Sequence, residues 1–174
     1  MKKNVFLIIF ILLFLIITAN IIFKKSKIQA QPEVKIGMTA PNFELKDIEG
    51  KSWKLDSLRG KIVILNFWAS WCKECIVEKK SIQVYLNKNK KTDDLVFLTI
   101  LFNDNPKLVS ELIKKEGYTF PVLIDNGKVS KIYGIRGVPE TFLIDKNGIL
   151  RHKITGPVEW NSPHIIPHLK EVLS

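Results

Sequence analysis

The stretch Lys61 to Trp68, KIVILNFW, constrains the fold more than any other part of this chain. It is an apolar run of strand length. Strands with one wet face alternate polar and apolar residues, whereas a continuous run belongs to a strand covered on both faces, usually by helices. A second such run, LVFLTILF, extends from Leu95 to Phe102. Between the two, Cys72 to Leu86 contains no Gly or Pro and reads as a helix. PKLVSELIKKEG, Pro106 to Gly117, opens on Pro and closes on Gly, as helices tend to. FPVLID (Phe120 to Asp125) reads as a short strand and KVSKIYG (Lys128 to Gly134) as a short helix. ETFLID and ILRHKITG flank Asn147-Gly148, a strong hairpin dipeptide. Upstream, NFELKD and KSWKLDSL flank a turn at Glu49-Gly50 and suggest a short hairpin. SPHIIPHLKEVL, Ser162 to Leu173, closes the chain as an amphipathic helix. Strands that alternate with helices imply an α/β domain with a mixed sheet.

Ahead of this domain, Val5 to Phe23 is apolar except for Thr18 and Asn20. At ~1.5 Å per residue such a helix approaches the ~30 Å hydrocarbon core of a bilayer, and it exceeds the ~7–15 apolar residues of a signal peptide. An uncleaved anchor is the expectation, with cleavage after Ala30 as the alternative. Lysines flank both ends, Lys2 and Lys3 before and Lys24, Lys25 and Lys27 after, so charge alone does not orient it. Lys24 to Gly37 reads as a polar tether. We therefore divide the chain into an anchor and tether over residues 1–31 and a domain over 32–174.

The formal net charge is +10, but five lysines without an acid fall in the first 27 residues. The remainder carries a modest basic excess, and NKNKKTDD (Asn87 to Asp94) reads as a solvated helix end and loop. No basic motif is interleaved with aromatics, so nucleic acid is not an expected partner.

The chain has two cysteines, Cys72 and Cys75, placed where the buried strand hands over to a helix. The unpaired N–H groups and positive dipole of a helix start stabilise a thiolate, the reactive form in disulfide exchange. Cys75 lies one turn inward, so it can resolve a mixed disulfide formed at Cys72. A purely structural bridge across so small a ring would stabilise weakly. A zinc site needs four ligands and this pair supplies two; the imidazoles are His152, His164 and His168, the last two flanking Pro167. Two thiolates remain suited to Cu(I). The redox reading is the strongest, and no cofactor is expected.

The segment FWASWCKEC resembles the active-site segment of the thioredoxin superfamily. Together with APNFELKDIEGKSWKLDSLRGKIVILNFWA and GVPETFLID, it is similar to the membrane-anchored TlpA/ResA/CcmG (DsbE) branch of extracytoplasmic thiol-disulfide oxidoreductases. The resemblance covers Pro41 to Leu173. It implies a thioredoxin-like fold with an added N-terminal hairpin and an inserted helix and strand over about Pro106 to Asp125. It also implies protein clients with cysteine pairs, apocytochrome c among them, a thiol-reducing electron donor in the cytoplasmic membrane, and a domain on the periplasmic side.

By the same resemblance Cys72 is the attacking and Cys75 the resolving cysteine, and Trp71 is the tryptophan beside the site. Val138, Pro139 and Glu140 contribute to client binding, with Pro139 the proline that is cis in the family and faces the disulfide. Without the family match the Val138-Pro139 bond would be expected trans, and Glu140 reads equally as a solvated strand-edge residue. Glu78 matches a buried catalytic carboxylate three residues after the second cysteine. On the helix, Cys75, Ile82 and Leu86 define an apolar stripe, and Glu78 and Lys79 both reach its edge; periodicity does not separate them. A carboxylate ~6 Å from a thiolate opposes it by roughly 3 kcal/mol at an effective dielectric of ~20. The chain departs from the branch at Lys73-Glu74, where the second place is usually proline, and at Lys80, also often proline. Two rivals share some of these features. A peroxiredoxin-like peroxidase would begin in the APNFEL style but use a cysteine with no partner two residues on. A copper carrier would use both thiols as ligands.

Overall fold

The computed structural model describes residues 6, 11–20, 34–89, 94–162, 165, 169 and 172. The chain divides into two units, Met1–Pro32 and Glu33–Ser174. In the first, residues 6 and 11–20 are helical, and the rest of the expected Val5 to Phe23 helix lies outside the described residues. Among the described residues no helix is long and apolar enough to cross a membrane.

The second unit is built on a five-stranded mixed sheet. A hairpin of β1 (Glu44–Lys46) and β2 (Ser52–Lys54) precedes it, followed by a 3-10 turn at Leu55–Leu58. The central strand β3 (Ile62–Trp68) runs parallel to β4 (Leu95–Leu101), which runs parallel to the two-residue β5 (Val122–Leu123). On its other side β3 pairs antiparallel with β6 (Glu140–Ile144), and β6 with β7 (Leu150–Thr155). The order is β5-β4-β3-β6-β7.

All seven residues of β3 are buried, as its composition requires of a strand covered on both faces. Its even-numbered side chains, Ile62, Ile64 and Trp68, pack under the helices α1 (Lys73–Lys88) and α2 (Pro106–Glu116) with Ile82, Val109 and Ile113. Helical Ile165, Leu169 and Val172 join this cluster at a 4-and-3 spacing, one face of a helix. The odd-numbered Val63, Leu65 and Phe67 pack on the opposite side with Phe43, Phe142 and Tyr133 and with Val129 of α3 (Lys128–Ile132). Burying one such aliphatic or aromatic side chain contributes about 1.5–3 kcal/mol, so each face of this strand is a substantial core.

Several ends follow local chemistry. Asn105 caps α2 by accepting the Lys107 N–H, Pro106 occupies the first turn, and Gly117 at φ 67° takes the left-handed position past its end. The β6–β7 connection is longer than the two-residue hairpin that Asn147-Gly148 suggests. Only Gly148 has positive φ there, and the Asp145 carboxylate accepts the N–H groups of Asn147 and Ile149. The register also shifts between Leu143 and Ile144. A carboxylate that caps the turn thus replaces the tight form in which both central residues would need positive φ.

Candidate active site

Strand β3 ends at Trp68, and after four residues the chain enters α1 at Lys73. That short passage is held from the side by the loop after β4. The Phe102 N–H donates to Trp68 O at 2.8 Å, the Ser70 N–H to the Asp104 carboxylate, and Trp71 Nε1 to Asn103 O at 3.2 Å. Asn103 itself sits in the left-handed region at φ 48°. Trp71 is 60% exposed, an aromatic surface beside the cysteines.

Cys72 is the N-cap of α1, and its sulfur accepts the Cys75 N–H at 3.1 Å. Cys72 and Cys75 form a disulfide with Cα atoms 5.2 Å apart. The Cys72 sulfur thus lies at the positive end of a helix of 16 residues, where an anion gains from unpaired N–H groups. Cys72 is 5% exposed and Cys75 fully buried, so even the outer cysteine is nearly closed to solvent, although the order outer then inner is kept.

Across the disulfide, Val138 O is 3.5 Å from the Cys72 sulfur. The Val138-Pro139 peptide is cis. Glu140 follows at the start of β6 and is buried, between β3 and β7 rather than at a solvated edge. Its carboxylate lies 3.4 Å from Lys153 Nζ. Because Glu140 is paired with Phe67 of β3, it belongs to the aromatic face of the sheet, away from α1.

Behind the cysteines the structure departs from the alternatives left open by the helix pattern. Glu78 and Lys79 do not compete for the stripe's edge; both are buried. Each has partners from distant parts of the chain. Glu78 Oε1 accepts the Val158 N–H at 3.1 Å, and Glu78 Oε2 accepts from Asn66 Nδ2 at 3.1 Å. Asn66 Nδ2 also donates to Thr141 Oγ1 at 2.8 Å, and Asn66 Oδ1 accepts from Lys79 Nζ. Lys79 Nζ stands 3.7 Å from Glu78 Oε2 and 4.8 Å from the centre of the Trp68 ring. Burial pulls the Lys79 ammonium down to about 8, against the opposing pull of Glu78. A hydrogen-bonded pair of opposite charges, spanned by one amide, is how a fold can keep two ions out of water.

Asn66, Thr141 and the Asp104 loop were not singled out in the sequence. Asn66 carried a usable signal, since an amide within the apolar run of a doubly covered strand must find buried partners. Among the described residues no group of three or more His, Cys, Asp and Glu side chains gathers as a metal site would. His164 and His168 lie outside the described residues.

Residues 36–153 match the model of the AhpC/TSA family. The chain is 38% identical to thiol-disulfide oxidoreductase ResA of Geobacillus thermodenitrificans over 142 residues, 80% of this chain and 79% of that one. It is 33% identical to the ResA of Bacillus thuringiensis subsp. konkukian over 175 residues, 99% of each. The chain belongs to the TlpA/ResA/CcmG family of thioredoxin-like thiol-disulfide oxidoreductases. Among solved structures, StoA of Bacillus subtilis is similar with a TM-score of 0.64 at 28% identity, covering 78% of this chain and 98% of that one. A thioredoxin-family thiol:disulfide interchange protein of Chlorobium tepidum is similar with a TM-score of 0.71 at 25% identity, covering 80% and 99%. The thioredoxin-like fold expected from FWASWCKEC and GVPETFLID is present, and as a family member the chain is an enzyme of thiol-disulfide exchange.

Proposed function

We propose that this thiol-disulfide oxidoreductase works as a reductase of protein disulfides outside the cytoplasmic membrane, held there by the apolar segment Val5 to Phe23 with its N-terminus inside. The observation that carries the exchange chemistry is the sulfur of Cys72 at the start of α1, 3.5 Å from Val138 O; the direction, reduction, is drawn from the resemblance to the family. In the reduced protein the Cys72 thiolate attacks one sulfur of a client disulfide. The client S–S bond breaks, and its second sulfur leaves as a thiolate. Cys75 then attacks the Cys72 sulfur, the mixed disulfide breaks, and the client departs with two thiols. The protein is left with the Cys72–Cys75 bond, and a membrane donor carrying a dithiol returns the two electrons.

Trp71, Val138 and Pro139 bind the client beside the reacting sulfurs in this reading, and Glu140, buried on the far face of the sheet, supports the strand that follows Pro139. Glu78, behind Cys75 on α1, passes a proton to or from the resolving thiol. The resemblance to members that serve cytochrome c maturation supports apocytochrome c, a protein with a cysteine pair, as the client.

Insulin reduction coupled to a dithiol tests the activity, and a glutathione series tests its direction. The reductase reading expects a couple more reducing than the ~−180 mV of a disulfide isomerase. A value near the ~−120 mV of a strong oxidant would make the protein a disulfide donor instead. Cys75→Ser should trap clients as mixed disulfides on non-reducing gels and Cys72→Ser should trap none; equal trapping by both would overturn the assigned roles. Peroxide turnover without insulin reduction would favour the peroxidase, and tight Cu(I) binding without it the copper carrier.

A further inference from the structure

Lys79 has no place in the exchange reaction just described, yet it is a lysine with no exposed surface, held within the redox domain. A buried ammonium of this kind is costly unless its position is used or fully compensated. It stands four residues after Cys75, so the two share a helix face. Helical side chains lean toward the N-terminus, which carries the ammonium back toward the cysteine turn. The Trp68 ring beneath it belongs to the same core cluster as Cys72 and Cys75.

We propose that Lys79 is a positioning residue of the redox centre, a buried cation that fixes the Asn66–Glu78 pair behind Cys75 and offsets the negative charge that reduction places on the cysteines. The inference rests on the redox reading of Cys72 and Cys75. When a donor thiolate attacks the Cys72–Cys75 bond, one cysteine sulfur is captured in a mixed disulfide and the other leaves as a thiolate. The second donor thiolate completes its own disulfide and frees the captured sulfur. Two electrons have then entered the protein, and negative charge remains on the pair until protons arrive. On this side of the sheet the described groups that face Lys79 are Glu78 from its own helix and Asn66 and Trp68 from β3, with Thr141 of β6 reached through Asn66.

Other titratable side chains on this side include the thiols, the phenols Tyr85 and Tyr118, His152 of β7, paired with Leu143, and Asp104, which holds the Ser70 N–H, while Lys73 and Glu74 beside the cysteines are exposed. Burial pushes both phenols up, with Glu116 adding to the effect at Tyr118. Glu140 and Lys153 belong to the other face. Lys73, next to Cys72, is exposed and its charge is screened by water, so Lys79 is the buried cation on this side placed to answer charge on the cysteines. Its lowered proton affinity in the disulfide state, to about 8, leaves room for a rise when that charge forms.

Thiolate absorbance against pH and equilibration with a glutathione series test this in Lys79→Met and in Lys79→Gln, which retains an amide to donate to Asn66. Both variants should raise the thiol pKa by about one unit. Above that pKa both should favour the disulfide about tenfold more than the parent, close to 30 mV for a two-electron couple. Glu78→Gln should move the thiol pKa the other way. Melting of the disulfide forms serves as the structural readout; variants that melt earlier but keep the parent's thiol profile and potential would overturn the proposal. Should neither variant fold, the unmutated protein decides. Linkage is reciprocal, so the Lys79 ammonium followed by NMR should gain about one pKa unit on reduction. An unchanged value would equally overturn it. Failure of the parent to reduce insulin would sink the reductase reading while leaving these titrations interpretable.

Discussion

The two faces of β3 solve different problems with the same strand. On the odd-numbered face, Phe67, Phe142 and Tyr133 meet with ring centres 5.1–5.8 Å apart, and the one phenol among them donates to Pro41 O at 2.7 Å. On the even-numbered face the same strand gives up one apolar position to Asn66, and two ions follow it into the interior. The aromatic cluster of the first face stabilises through area and shape, which tolerate little loss of volume but do not depend on pH. The second depends on complete hydrogen bonding and on protonation. The polar face is the one against which α1, with both cysteines at its start, is packed. The family's chemistry is carried where the core is electrostatically adjustable, and the aromatic face supports it.

Four measurements test whether the two faces work independently. Phe142→Ala should cost the most, about 3–5 kcal/mol by denaturant melting, with the thiol titration of the reduced protein unchanged. An altered thiol profile would mean that the two faces are not independent.

Asn66→Leu keeps the volume of the strand apolar but strands Glu78 and Lys79 without their common partner. A cost of about 3 kcal/mol is expected. In contrast to Phe142→Ala, the thiol titration should move. A neutral result would show that the amide is dispensable to the pair.

The third measurement concerns pH in the disulfide form. The Lys79 ammonium titrates near 8 in the folded chain, below its ordinary 10.5, because burial disfavours the charge. Below pH 8 both folded and unfolded chains hold the proton, and the buried charge weighs against folding. Between pH 8 and 10.5 the unfolded chain binds more protons, so stability rises with pH across that window. Relative to Lys79→Met, the parent should gain up to about 3 kcal/mol between the two limits. Parallel stability curves for the two proteins would mean that Lys79 stays charged throughout.

The smallest expected effect is on the aromatic face. Tyr133→Phe removes the bond to Pro41 O and little else, so about 1 kcal/mol should be lost, equally at pH 6 and pH 9. Burial holds the Tyr133 phenol well above its usual range, which keeps it neutral at both.

Much of the fold was legible because the signals are local. The apolar runs of β3 and β4 gave doubly covered strands, and Pro106 and Gly117 bracket α2 closely. The Cys-x-x-Cys pair at a strand-to-helix transition points to thiol chemistry on chemical grounds alone. Local signals erred where partners at a distance intervene. FPVLID shrinks to the two residues of β5, because Val122 and Leu123 alone pair with β4 while Asp125 turns to cap α3 through the Val129 and Ser130 N–H groups. Glu140 pairs on both sides and so is not the edge residue its charge allowed.

By itself, the sequence determined the alternation of elements, the reactive pair and its place at a helix start, since each depends on residues within a few positions of one another. The state of Glu78 and Lys79 was decided by tertiary structure alone. Helical periodicity places both at the edge of one stripe, and it cannot say whether an ion at that edge meets water or a partner. The partners are Asn66, brought in 12 and 13 residues from the pair by β3, and the Val158 N–H, which arrives 80 residues after Glu78. Only the closing of the chain over α1 makes that burial affordable, because a charge is tolerated in the interior when its hydrogen bonds are complete, and those bonds exist in no local segment.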